Sequence, residues 1–286
     1  MQIKTPKYWY SLGLYLLLTL IVSIFFAKEN FNWSELIINR VVFGVLLFIA
    51  IILRKKISVK IFQFVSLLMT YSFLSSVYKE TATLNTLFFN KQDDFLIHID
   101  NLIFSFQPSL EFSKTIHHWL FSELMFLGYF SYYLMPLFVM FKLYNTSLLK
   151  HFGFILITSF TVYYTIFILF PVEGPQFHFS APDNYIEAKG IFGYAVKLIQ
   201  AMGEAPTAAF PSSHVGISVV VLLWLYQYQK NLIKYILPFS ILLFFATVYI
   251  KAHYAIDAIA GLLSGIIIYK IVNSIYLLIQ RKSYAD

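Results

Sequence analysis

Eight runs of apolar residues divide this chain of 286, at roughly 8–27, 36–53, 61–78, 121–141, 151–171, 212–229, 232–250 and 255–280. Most are near the ~20 residues an α-helix needs to cross a hydrocarbon core of ~30 Å. A helix also satisfies its own backbone polar groups in lipid, where an isolated strand does not. The runs therefore predict an all-α, polytopic transmembrane helical bundle of about eight spans. Composition agrees, with 59% of residues hydrophobic and only 12% charged. The first run follows Lys4 and Lys7 and lacks a small-residue cleavage site, so it reads as an anchor rather than a signal peptide. The chain has no cysteine, which excludes disulfides and thiolate metal sites.

The net charge of +7 reads as a membrane topology signal rather than a nucleic-acid footprint. With the N-terminus inside, the inner segments carry Lys4, Lys7, Arg54, Lys55, Lys56, Lys60, Lys142, Lys150, Lys230, Lys234, Arg281 and Lys282. The longer outer segments carry only Lys28, Lys79, Lys91, Lys114, Lys189, Lys197 and Lys251, and Arg40 and Lys270 fall within spans. Apart from Asp286, every acid falls in an outer segment or at an outer helix end. Both termini are thus expected in the cytoplasm, and the compact chain suits a bacterial inner (plasma) membrane.

Two segments rich in chemistry then meet on the outer face. Phe210-Pro211-Ser212-Ser213-His214 opens span six, and Lys251-Ala252-His253-Tyr254-Ala255-Ile256-Asp257 leads into span eight. A helix starting at Pro211 or Ser212 has unsatisfied N–H groups in its first turn, which attract an anion. Ser212 and Ser213 add hydroxyls. His253 and Asp257 are four apart and share a helix face, so Asp257 is expected to bond one ring nitrogen and leave the other free to attack. With His214 as proton donor, these groups suffice for phosphoryl transfer through a phosphohistidine. The same three side chains also have the donor types to hold a divalent metal.

Of the two long outer loops, 79–120 holds apolar positions 95, 96, 99, 102, 103 and 106 at helical spacing. They predict an amphipathic helix lying on the membrane or covering the site. The other loop, 172–211, runs directly into the Pro-Ser-Ser-His segment.

Pro-Ser-Ser-His and His-Tyr-x-x-Asp resemble the second and third motifs of the phosphatidic acid phosphatase type 2 superfamily. Asp94 to Pro108, and Glu123 to Pro136 with Tyr129, Tyr132 and Tyr133, resemble the inositol phosphorylceramide synthase-like branch. The resemblance covers roughly 94–265 and implies a six-helix catalytic core within residues 81–286, leaving the spans of residues 1–80 outside it. It implies His253 as nucleophile, Asp257 as its orienting partner and His214 as leaving-group acid, with no metal and no other cofactor. The implied partner is a lipid phosphate or diphosphate held in the bilayer. Water as acceptor makes a phosphatase, the simpler outcome, and a polyol or lipid hydroxyl makes a phosphotransferase.

Two departures stand out. The family's first motif, K-x6-R-P, is absent, and Pro171 to Gln176 occupies its place, with Glu173 or Gln176 where a basic residue is expected. Thr247 replaces the arginine six residues before the nucleophile. Lys251 and Lys189 are the nearest substitute cations for the phosphate, and Glu173 is a candidate for the headgroup or for capping its own loop.

His98, His117, His118 and His178 read as lid or interface residues, His178 being the best placed. Gly261 and Gly265 form G-x-x-x-G, a helix-packing signal, and Lys270 reads as snorkelling to the inner surface. A non-catalytic channel or transporter is the competing class, but it needs a polar path, and the first three spans offer little beyond Arg40 and Ser72, Ser75 and Ser76.

Overall fold

The computed structural model describes residues 5–207 and 209–285, with side chains through Arg281. Lys4, the Lys282 side chain and Asp286 of the charge pattern lie outside the described residues. Twelve α-helices follow in order: α1 (Lys7–Phe26), α2 (Trp33–Lys56), α3 (Val59–Leu84), α4 (Asp93–Phe104), α5 (Pro108–Thr115), α6 (Trp119–Leu143), α7 (Leu148–Leu169), α8 (Pro175–His178), α9 (Ile191–Gly203), α10 (Ser213–Tyr228), α11 (Ile233–Tyr249) and α12 (Ala255–Ala285). The described residues contain no strand.

Among the described residues, seven helices are long and apolar enough to cross a membrane: α1, α2, α3, α6, α7, α11 with the 3₁₀ turn before it, and α12. The remaining expected span, 212–229, is α10, at 16 residues. It is about 24 Å long, short of the ~30 Å hydrocarbon core. Both ends have local causes. Ser212 accepts from the Val215 N–H at 3.3 Å and caps the helix at its start, and Gln229 turns the chain into a 3₁₀ turn at its end.

α10 lies among α6, α7, α11 and α12. Its approach to α12 is a backbone contact. A Cβ on Gly261 would stand 2.5 Å from the Ser212 carbonyl oxygen, and one on Gly265 2.6 Å from the Gly216 oxygen. The G-x-x-x-G pair is thus a packing device, and it brings the segments bearing His214 and Asp257 together. Lys270, in the second half of α12, is exposed.

The first three spans join the same packed core. Gly153 of α7 lies so near α1 and α3 that a Cβ there would meet Leu67 at 2.8 Å and Tyr8 at 3.2 Å. Arg40 of α2 does not stand alone within its span. Its guanidinium bonds Glu80 of α3 at 2.6 Å, and also the Leu16 carbonyl and Thr19 hydroxyl of α1. Asn39 donates to the same Glu80 oxygen at 2.6 Å. The ion pair thereby ties three helices where lipid offers no competing partner.

Four helices, α4, α5, α8 and α9, lie outside the spans, and the two longest are α4 and α9. α4 is the amphipathic helix expected in the first long loop, but its buried face is not the apolar one. Phe95, Leu102, Ile103 and the following Phe106 are exposed, whereas Asp93, Leu96 and Asp100 are buried. The two acids turn inward because buried backbone N–H groups await them, as described below. α9 falls in the second long loop, where no helix was expected. It exposes Ile191, Tyr194, Leu198 and Met202 along one side and buries Gly193 and Val196 on the other. Glu123 of α6 fixes its start, accepting from the N–H groups of Phe192 and Gly193 at 3.0 and 2.9 Å.

Gly265→Leu is expected to destabilise the protein by about 1–3 kcal/mol through overpacking against α10. Gly44→Ala, at a position with nothing within 4 Å of the added carbon, should leave the melting temperature unchanged. Thermal unfolding followed by size-exclusion in detergent compares the two, and equal melting temperatures would contradict the backbone contact.

Candidate active site

The two sequence segments singled out above converge at one end of the bundle, and the frame that holds them is backbone. The Ser212 N–H donates to the Asp257 carbonyl at 3.0 Å, joining the start of α10 to the first turn of α12. The His253 N–H donates to the Thr247 carbonyl at 3.0 Å, so the residue standing where the family has an arginine holds the turn through its main chain. From the 171–176 loop, the Val172 carbonyl accepts from Ala209 at 3.2 Å and the Gln176 N–H donates to Lys251 at 2.9 Å. Gly174 is required in this loop. Its φ is +90°, and a Cβ would lie 2.9 Å from the Ala252 oxygen.

α4 completes the frame. Asp100, fully buried, accepts from the N–H groups of Ala255 and Ile256, both at 2.9 Å, and so caps α12 from another part of the chain. Asp93 accepts from Glu173 N–H at 3.0 Å, Gly174 N–H at 2.9 Å and the Tyr254 hydroxyl at 3.0 Å. Burial pushes the Asp100 carboxyl upward, against the pull of its two N–H donors.

Within this frame, Nδ1 of His214 lies 3.2 Å from Nε2 of His253. The other nitrogen of His253, Nδ1, is 2.7 Å from the Ala209 carbonyl oxygen. A carbonyl only accepts, so Nδ1 carries the proton in the neutral ring and Nε2 presents a lone pair toward His214. Burial depresses the His253 imidazole to about 4, and the Ala209 bond and the Glu204 carboxylate oppose that shift. The ring is therefore neutral above that value, with the lone pair of its buried Nε2 facing His214.

Asp257 does not take its expected place. Its Oδ2 is 3.6 Å from His253 Nδ1, beyond hydrogen-bonding range, and accepts instead from the Tyr254 N–H at 2.8 Å. Its Oδ1 is buried without a partner. The reason is local. Asp257 sits in the first turn of α12 and folds back onto the N–H of Tyr254, while the Ala209 carbonyl already fills the position in front of Nδ1. Asp257 thus shapes the turn, and a main-chain carbonyl orients the ring. The same arrangement keeps His214, His253 and Asp257 from converging as ligands on one metal.

The first turn of α10 keeps donors free. Ser212 N–H and Val215 N–H are used, but those of Ser213 and His214 meet no partner among the described residues. Such N–H groups at a helix start are donors that an anion could use. The Ser212 hydroxyl serves as helix cap, and the buried Ser213 side chain lies against Tyr132. The His214 ring is sandwiched by α6: Tyr129 stacks on it at 4.7 Å between centroids, and Tyr132 lies tilted at 4.3 Å.

The expected substitute cations are elsewhere. Lys251, with φ +68°, points its amine at the Ser109 carbonyl of α5 at 3.1 Å, and burial lowers its affinity for a proton. Lys189 is exposed and pairs with Glu187 at 3.2 Å in a surface cleft lined by Trp119, Tyr185 and Tyr249. Glu173 pairs with Lys91, and its N–H is held by Asp93, so loop capping describes it. Gln176 is brought near, but its amide is tied to Glu204 at 2.5 Å and to Gln200 at 3.0 Å. His98 is exposed, His117 bonds the Lys114 carbonyl, and His118 caps α6. His178 lies 3.6 Å from the exposed Asp94.

Glu204 is the residue sequence reasoning missed. One of its oxygens accepts the Tyr129 hydroxyl at 2.6 Å and the other the Gln176 amide, which places a carboxylate beside the ring pair. An acid in an otherwise acid-poor stretch just ahead of Pro-Ser-Ser-His was the available signal. Asp93, Glu173 and His178 bring one ligand atom each within 4.8 Å of one another, but both Asp93 oxygens already accept hydrogen bonds and Glu173 is paired.

Residues 95–271, more than half of the chain, match the family described as the PAP2 superfamily. No curated protein and no solved structure matches the sequence. The match begins inside α4 and ends inside α12, so it spans both imidazole segments and leaves α1 to α3 outside.

Because its folded pKa is lowered, His253 should stay neutral until the pH falls to about 4. An unfolded chain takes up that proton near 6.5, so the ring's contribution favours folding above this range and is lost as the pH drops through the interval. Ring ¹⁵N-histidine NMR, with the His253 signal assigned by its absence in His253→Ala, checks this. A midpoint near 6.5 would contradict a buried, carbonyl-bonded imidazole.

Proposed function

Because the chain belongs to the PAP2 superfamily, whose members are phosphatases and phosphotransferases, we propose that it is an integral membrane lipid phosphate phosphatase acting through a phosphohistidine. The single observation that carries this reading is the contact of 3.2 Å between His214 Nδ1 and His253 Nε2, with the far nitrogen of His253 held by a carbonyl. One ring then has its lone pair aimed and the other has a proton to give.

The phosphoryl group enters by displacing the hydrogen bond between the two rings and parting them, close to the N–H groups of Ser213 and His214 that meet no partner among the described residues. Nε2 of His253 forms a bond to phosphorus as the bond from phosphorus to the ester oxygen breaks. His214, entering the step as imidazolium, gives one proton to the departing oxygen, which leaves as an alcohol, and becomes the neutral ring. Water then attacks the phosphohistidine, His214 takes back a proton, and the P–N bond breaks to release phosphate. The Ala209 carbonyl supports the positive charge that forms on the His253 ring, acting where a carboxylate serves in other arrangements. No step calls for Asp257 as a proton carrier.

The lipid's tails stay in the bilayer beside the bundle. The basic residues of the connecting segments favour an orientation with both termini in the cytoplasm and the ring pair on the opposite side. The stretch Asp94–Pro108 and the missing first motif favour a second reading, an inositol phosphorylceramide synthase-like phosphotransferase in which an alcohol replaces water in the second half-reaction.

A panel of lipid phosphates with EDTA present tests the reading. Wild type should release phosphate from at least one member, and His253→Ala should lose at least about a thousandfold in kcat/KM. Full activity in that variant, or loss of wild-type activity in EDTA, would overturn the metal-free nucleophile. Transfer of the headgroup to an added lipid alcohol without phosphate release would replace water by the alcohol as acceptor.

A further inference from the structure

The site as described holds a carboxylate, Glu204, but no cation within hydrogen-bonding distance of either imidazole. A phosphate brought there needs a positive charge nearby, because an anion removed from water is costly unless paired. Most lysines with described partners at this end are spoken for: Lys91 with Glu173, Lys114 with Glu111 and Asp183, Lys189 with Glu187, and Lys251 with the Ser109 carbonyl. Lys28 and Lys79 are exposed.

Lys197 is different. It lies on α9, whose faces are sharply divided. Ile191, Tyr194, Leu198 and Met202 are exposed. Positions 193, 196, 197, 200 and 204 fall on the opposite side at helical spacing. On that side Gly193 and Val196 are buried, Gln200 bonds Gln176, and Glu204 bonds Tyr129 and Gln176. Tyr129 in turn stacks on His214. Lys197 is therefore on the face that looks into the site, two turns before Glu204. It is half-buried and makes no hydrogen bond or ion pair with any described residue.

We infer that Lys197 supplies the positive charge that binds the substrate's phosphoryl group, in place of the cations missing from the first motif and from position 247. The inference rests on the phosphatase reading above and adds to it a binding residue outside both imidazole segments. The ligand is a phosphate ester anion. The lysine's long stem lets the amine reach from the helix face while its methylenes lie along apolar neighbours. Burial lowers the Lys197 amine, with Glu204 opposing, so the arrival of an anion restores a partner that the free protein lacks.

Full-length protein in nanodiscs tests this with Lys197→Met, Lys197→Arg and, as control, Lys79→Met. KM and kcat are measured on the lipid phosphate found active, and inorganic phosphate is titrated as an inhibitor and, separately, as a ligand by calorimetry. Lys197→Met should raise KM and the phosphate inhibition constant about tenfold or more, with a smaller change in kcat. Lys197→Arg should restore both to within about threefold, and Lys79→Met should match wild type. If Lys197→Met fails to fold, Lys197→Gln takes its place. Unchanged phosphate affinity in the folded variant would overturn the inference, whether or not turnover is seen. Absence of wild-type turnover on every lipid phosphate would instead overturn the phosphatase reading.

Discussion

Four backbone N–H groups, two buried and two part-buried, and a tyrosine hydroxyl converge on two carboxylates of one short helix, α4. Asp93 holds the 173–174 turn and Tyr254, and Asp100 holds the start of α12. In a bundle of apolar helices these groups have no other partners, and a buried N–H left unpaired costs on the order of 1–3 kcal/mol. The turns that carry His253 and approach Ala209 are irregular backbone, so no helix fixes them internally. The two acids do so from outside. This also explains why α4 presents its polar side inward and leaves Phe95, Leu102 and Ile103 uncovered.

The spans and the two imidazole segments were legible because both are periodic or local signals: apolar length for the helices, and residue type beside a proline for the site. What was hidden depended on main-chain geometry. The residue orienting His253 is an alanine, and only its carbonyl matters, so no side-chain pattern announces it. Asp257 reads as a partner of His253 from its spacing of four, yet the turn before α12 pulls its carboxylate onto the Tyr254 N–H. Lys251 reads as an available cation until its left-handed backbone sends the amine to α5. α9 was concealed by a loop whose composition looks irregular, although its apolar and polar sides alternate at helical spacing once the register is known.

The surroundings of His214 consist of tyrosines and a carboxylate rather than arginines. Tyr129 links the two, stacking on the ring while donating to Glu204. A ring held between aromatic faces loses rotamer freedom, which suits the proton donor proposed for this position. The last of the three helices before the matched region, α3, contributes here too. Tyr78 of α3 reaches the Thr207 carbonyl at 3.5 Å, and Asn85 bonds the Thr207 hydroxyl at 2.7 Å, steadying the strand of chain that leads to Ala209.

The brevity of α10 has a consequence for the bilayer itself. A helix of 16 residues falls roughly 6 Å short of the hydrocarbon thickness. Its neighbours are longer, so lipid does not feel the deficit directly, and the first turn starts inside the protein, with Ser212, Ser213 and His253 all buried. The N–H groups of Ser213 and His214, without partners among the described residues, and the pair of imidazoles lie at that buried start. On the proposed reading, a lipid headgroup that reaches these groups must leave the plane of its fellow lipids, so partial extraction from the leaflet becomes part of binding.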